Sequence, residues 1–134
     1  MRKVLLISIV LLLPFSAAAY NSPFLEQMSN DMNKTLPKAH DQYTTWESTY
    51  YLQGMMTYIY KSDFKISDFS HEDLAYFKSG YVDVLRNRVC SFYRSSITDA
   101  KVKKAFQGLI NRYVTYDSQG KVLNDIQLSV DSCD

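Results

Sequence analysis

The chain has 134 residues, with 15 basic against 14 acidic side chains and 14% aromatic residues, among them 11 Tyr, 7 Phe and one Trp. So even a charge balance removes the electrostatic case for nucleic acid or an anionic membrane surface as partner. The length suits one domain with its own core, and the aromatic side chains can furnish both that core and a binding surface.

Arg2 and Lys3 precede an apolar run from Val4 to Phe15, and Ser16-Ala17-Ala18-Ala19 follows. A basic start, a short apolar stretch and small residues before the cut predict a secretory signal peptide over 1–19. The run is too short to span a bilayer. No cysteine follows the cut to carry a lipid, and no later stretch is apolar enough to cross a membrane. The expectation is a single α+β domain over 20–134, periplasmic or secreted, without a transmembrane or lipid anchor once the signal peptide is gone. Two cysteines in an exported chain predict a disulfide between Cys90 and Cys133. Two free thiols in a metal or redox site are the alternative, but no Cys-x-x-Cys spacing supports them.

Ser22-Pro23 reads as a helix start, a cap followed by proline at the first helical position. Phe24, Met28, Met32 and Leu36 then recur every four residues, an apolar stripe that ends before Pro37. From Tyr43 to Tyr51 the composition turns to Thr, Tyr and Trp, which suit a strand. Gln53-Gly54 supplies a turn, and a second strand runs from Met55 to Lys61. Ser62 to Phe69 reads as a loop with Phe64, Ile66 and Phe69 tucked inward.

Ser70, with Glu72 and Asp73 in the first turn, starts a central helix. Leu74, Phe77, Tyr81, Val84 and Leu85 recur at helical spacing up to Cys90. An unbroken helix places Arg88 within that apolar stripe, and a buried unpaired guanidinium is costly. Two readings follow: a break at Gly80 or an early helix end, or an Arg88 satisfied by a carboxylate. Ser96 or Thr98 then caps a short helix through Leu109. Asn111–Tyr116 and Lys121–Val130 form a second hairpin about the turn Asp117-Ser118-Gln119-Gly120. The expected fold is therefore an antiparallel sheet of about four strands, built from two hairpins, with helices on one face in the order α-β-β-α-α-β-β.

Leu36-Pro37-Lys38-x-x-Asp41, then Tyr58-x-Tyr60, Cys90, Tyr113 with Asp117 and Gly120, and Cys133 form a pattern across nearly all of the mature chain. This pattern resembles a family of small exported bacterial proteins of unassigned function, with Leu-Pro-Lys-x-x-Asp, Tyr-x-Tyr, Cys, Tyr-x-Tyr-x-Asp-x-x-Gly and a C-terminal Cys. The chain departs from it at Thr115, where a second Tyr is expected. The resemblance implies an exported, disulfide-closed α+β domain and brings no activity with it.

No catalytic residue, metal site or cofactor is expected. His40 and His71 stand outside any metal-ligand spacing, and no serine sits in a nucleophile elbow. Asp41 suits a turn, Asp117 with Gly120 a hairpin turn. Trp46, Tyr50, Tyr58, Tyr60, Tyr113 and Tyr116 are the candidate interaction surface, suited to a protein or peptide partner. Arg86, Arg94, Lys101 and Lys104 are a candidate anion or partner patch, with a solvated helix face as the plain alternative. The function read from the sequence is a non-enzymatic interaction protein of the bacterial envelope, an adaptor, inhibitor or immunity-type partner. The rivals are a small hydrolase using scattered acids such as Asp41 and Glu47, and a carrier of a small apolar ligand lined by Met28, Met32, Met55 and Met56.

Overall fold

In the computed structural model, which describes residues 21–133, helix α1 runs from Pro23 to Asn33. Ser22 caps it by accepting the Leu25 N–H at 3.2 Å, and Pro23 occupies the first turn. The helix ends ahead of Pro37, in tightened turns over Lys34, Thr35 and Leu36, and the Asn33 side chain reaches Thr49. The Asn33 amide donates to the Thr49 carbonyl, and the Asn33 Oδ1 accepts the Thr49 N–H at 2.8 Å. One carboxamide thus takes the place that a neighbouring strand's peptide group would hold on the strand edge.

Five strands follow one another across the sheet in chain order: β1 (Lys38–Ala39), β2 (Thr44–Leu52), β3 (Met55–Ser62), β4 (Ile110–Tyr116) and β5 (Val122–Ser129). The expected four-strand sheet gains β1, which pairs Lys38 with Trp46 and Ala39 with Thr45. Two residues are too few to show a strand's alternation, so the sequence pattern missed it. The β2–β3 turn places Gln53 at φ 47° and Gly54 at φ 81°, the left-handed pair that a two-residue hairpin demands. Gly120, at φ 81°, plays the matching part between β4 and β5.

The sheet is not purely antiparallel. β3 and β4 run parallel, with Tyr58 beside Tyr113 and Ile59 beside Val114. The order becomes α-β-β-β-α-α-β-β, and the two hairpins are joined into one mixed sheet. Parallel neighbours require a long crossover. Helix α2 (His71–Ser91), a π turn over Phe92–Ser96 and helix α3 (Ala100–Ala105) provide it.

Ser70 caps α2 through the Asp73 N–H at 3.1 Å, as the sequence implies. The expected break at Gly80 does not occur, and α2 continues through it. An added Cβ at Gly80 would meet nothing within 4 Å, because the first half of α2 stands clear of the sheet. Leu74 and Tyr81 are half-buried there, whereas Tyr76, Phe77 and Val84 are exposed. Leu85 and Cys90, in the second half, are buried. The cap of α3 is Asp99, which accepts the N–H groups of Lys101 and Val102, rather than Ser96 or Thr98.

The alternation of β-strand side chains divides the sheet into two faces. Met56, Tyr58 and Tyr60 of β3 share one face with Asn111, Tyr113 and Thr115 of β4. The helices cover that face. Leu25, Met56, Ile97, Phe106, Leu109 and Val130 form the core, with Met28, Val89 and Tyr93 packed against it. The opposite face carries Tyr50, Ile59 and Tyr116, and a two-bond Arg112–Asp125 pair at 2.8 and 2.6 Å. That pair is too exposed to add much stability.

Cys90, in the last turn of α2, bonds to Cys133, whose Cα lies 5.2 Å away in the 3-10 turn after β5. The Arg94 guanidinium donates to the Cys133 carbonyl. The end of the crossover is thereby tied to the end of the chain. Cys90→Ser or Cys133→Ser should each cost roughly 2–4 kcal/mol in denaturant unfolding. The double variant should be no worse than either single one, since the cross-link is lost once.

Candidate functional site

Two openings flank α2. The larger is a groove of about 1000 Å³ between the first half of α2 and the segment after β3. Leu74, Phe77 and Val84 line one wall, Phe64 and Phe69 the other, and Leu123 of β5 lies between. Among the described residues, Asp73 and Asp83 are the only charged ones that line it.

Phe64 and Phe69 are not tucked in as the sequence pattern implied; they are 41% and 40% exposed. They stand in a row of rings, with Tyr43 5.0 Å from Phe64 and Phe64 5.7 Å from Phe69. On the α2 wall Phe77 stacks on Tyr81 at 5.9 Å. A short segment bearing large apolar groups holds its position only if its backbone is fixed. The β4–β5 turn does this: Asp117 Oδ2 accepts the Ile66 N–H at 3.0 Å, and the Ser118 N–H donates to the Phe64 carbonyl at 2.8 Å. Asp117 Oδ1 also accepts the N–H groups of Gln119 and Lys121. The hairpin-turn role read for Asp117 thus has a second part, anchorage of the aromatic segment.

The smaller opening, of about 290 Å³, lies between the sheet and the second half of α2. Met28, Leu85, Phe106 and Val130 give it apolar walls, while Tyr58, Tyr60, Tyr81 and Tyr113 bring phenols into it. Tyr58 and Tyr113 stack at 4.9 Å across the parallel pair, and Tyr58 donates to Asn111 Oδ1 at 3.4 Å. Burial pushes the Tyr58 phenol up to about 12. Burial also raises Tyr60, Tyr81 and Tyr113, with the Arg88 charge opposing the rise in each. Arg88 itself lines this opening. Among the described residues its side chain has no carboxylate partner, so neither remedy read from the sequence is used; the helix is unbroken and the guanidinium faces phenols.

The six aromatic residues singled out as a surface are divided between the two faces. Trp46, Tyr58, Tyr60 and Tyr113 lie on the helix-covered face, where Trp46 sits 6.0 Å from Tyr58 and 6.2 Å from Tyr60. Lys38 of β1 lies over the Trp46 ring at 4.9 Å. Tyr50 and Tyr116 lie on the opposite face beside Arg112. The basic residues are scattered: Arg86 is exposed on α2, Arg94 is engaged with Cys133, and Lys101 and Lys104 are exposed on α3. Asp41 accepts the Tyr43 N–H at 2.8 Å in a turn, and Glu47 is the extra residue of a bulge between Trp46 and Ser48. Neither lines an opening. Of the four methionines proposed for a cavity, Met28 and Met32 line the smaller one, Met56 is fully buried and Met55 belongs to the other face. Among the described residues no three His, Cys, Asp or Glu side chains are grouped to hold a metal, and no helix is long and apolar enough to cross a membrane. The signal-peptide residues lie outside the described part of the chain.

No protein-family model and no curated protein matches the chain. Solved structures do share its fold. A crystal structure of a candidate secreted protein from Pseudomonas aeruginosa superposes with a TM-score of 0.60 at 11% identity, over 83% of this chain and 90% of the other. The pilotin EpsS of the Vibrio vulnificus type 2 secretion system does so with a TM-score of 0.54 at 13% identity, over 83% and 89%. At such identities the likeness is one of fold.

The Asp117 anchor makes a pH-dependent prediction. Hydrogen bonds, that from Ile66 first, hold its carboxyl below the usual carboxylate range despite the opposing effect of burial. A depressed folded-state pKa contributes stability above the unfolded value of about 3.9, and loses it as pH falls through the folded value. Unfolding in urea should therefore show a loss of stability below about pH 4 that is shallower in Asp117→Asn. Equal slopes would show that Asp117 is not held this way.

Proposed function

We propose that the chain is an exported, non-enzymatic adaptor of the bacterial envelope that takes an amphipathic helical segment of a partner protein into the groove beside α2. The observation that carries this is the exposure of Phe64, Phe69, Phe77 and Val84 around one opening, 40–52% each. Large apolar groups gathered in a groove rather than scattered mark an interaction site. A groove walled by a helix on one side suits an apolar helix face. Asp73 and Asp83, with no basic residue among the described ones that line the groove, favour a partner segment with Lys or Arg beside its apolar stripe.

Two further observations support the adaptor reading. The signal-peptide pattern over 1–19 argues for export. The fold is shared with a pilotin of a secretion system and with a candidate secreted protein.

A photoreactive phenylalanine analogue placed at Phe69, in cells exporting the protein, tests the proposal. It should crosslink to a partner, and Phe77→Asp should abolish the product. The same analogue at Tyr50 or Gln127 on the opposite face should give none. Crosslinks from the opposite face alone, or products from Phe69 that Phe77→Asp leaves unchanged, would contradict the proposal.

A further inference from the structure

The smaller opening has a chemistry that the partner groove lacks. Arg88 and His40 are exposed and stand at its mouth, whereas Leu85, Phe106 and Val130 are buried and form its interior. The Tyr60 ring, 7% exposed, meets the His40 ring at 5.1 Å. Among the described residues, the hydroxyls of Tyr60 and Tyr113 have no hydrogen-bond partner, whereas that of Tyr58 is engaged with Asn111. The Asp41 charge acts on Tyr81, but Asp41 does not line the opening. The Arg88 guanidinium and the Tyr60 and Tyr113 phenols thus converge on a space whose other walls are thioether, aliphatic and aromatic, save for the His40 ring and the Asn111 carboxamide that takes the Tyr58 hydroxyl.

We infer that this cleft is a binding site for a small organic anion with an apolar body, a medium-chain or aromatic monocarboxylate. The carboxylate would sit between Arg88 and the Tyr60 and Tyr113 hydroxyls, and the body would lie against Met28, Leu85 and Val130. A charge-assisted bond to guanidinium is the strong kind, and a planar carboxylate matches the guanidinium fork. The phenols serve as neutral donors, since burial keeps them protonated. A single guanidinium balances a single negative charge, which favours a carboxylate over a doubly charged phosphate ester. The volume, near the lower end of ligand pockets, sets the size limit. Tyr81 is the one described residue that lines both openings, and the anion site does not depend on the adaptor reading.

The probe is hexanoate, with 1-hexanol and hexylammonium as isosteric controls, titrated into the oxidised protein carrying 13C-labelled methionine methyls. Hexanoate should shift Met28 and Met32 while leaving Met55, on the opposite sheet face, in place. It should bind more tightly than hexanol by about tenfold, as a charge-assisted bond to Arg88 implies. Arg88→Met should bring hexanoate down to the hexanol level with the hexanol affinity kept, and Arg88→Lys should retain part of the preference. Phe69→Ser, in the wall of the other groove away from Tyr81, should change nothing. Equal affinity for the three probes, equal shifts at Met55, an unaltered preference in Arg88→Met, or no binding at all would each overturn the inference.

Discussion

The parallel pairing of β3 and β4 is the constraint from which the rest of the molecule follows. Antiparallel neighbours can be joined by a turn, but a parallel pair obliges the chain to travel back along the sheet before it can pair again. The 21 residues of α2 span about 31 Å and make most of that return. The helix must therefore lie across the face that Tyr58, Tyr60 and Tyr113 share. Its second half packs down through Leu85 and Cys90, and its first half does not. Both openings are products of that tilt: the aromatic groove where the helix stands off, the phenol-lined cleft where it descends.

Three local devices hold this arrangement at its margins. The Cys90–Cys133 bond joins the descending end of α2 to the turn that follows β5, so the crossover and the last strand cannot part independently. Asn33 secures α1 to β2 by supplying a side-chain amide where β1 has run out. Asp117 fixes the aromatic segment to the β4–β5 turn, accepting the Ile66 N–H with one oxygen and the turn's own Gln119 and Lys121 N–H groups with the other. Each places a polar or covalent restraint where the hydrophobic core has too little area to specify a position. The Phe64–Phe69 wall shows why that matters: apolar side chains left in water would otherwise collapse inward.

Much of this was legible from residue chemistry. The caps at Ser22 and Ser70, the turns at Gly54 and Gly120, the cysteine pair and both hairpins follow from short-range rules. Strand direction did not, because alternation is the same for parallel and antiparallel neighbours. The exposure of Phe64 and Phe69 ran against their hydrophobicity and depends on the distant carboxylate of Asp117. Arg88 stands as a conflict within the helical stripe, which a helix break or a carboxylate would relieve. The fold instead leaves an opening in front of it, which no local pattern encodes. The sequence offers six aromatic residues for a surface without dividing them between the faces; the register does so, with Trp46, Tyr58, Tyr60 and Tyr113 toward the helices and Tyr50 and Tyr116 on the opposite side.

The division of α2 into an anchored half and a free-standing half is the claim on which both openings rest, and hydrogen exchange tests it most directly. Local opening free energies should differ along a single helix where burial differs. The amides of residues 75–82 should exchange through openings that cost far less than global unfolding. Those of residues 86–91, beside the disulfide, should exchange only near the global limit. Uniform protection from one end of α2 to the other would show that the first half is packed as firmly as the second and would contradict this account.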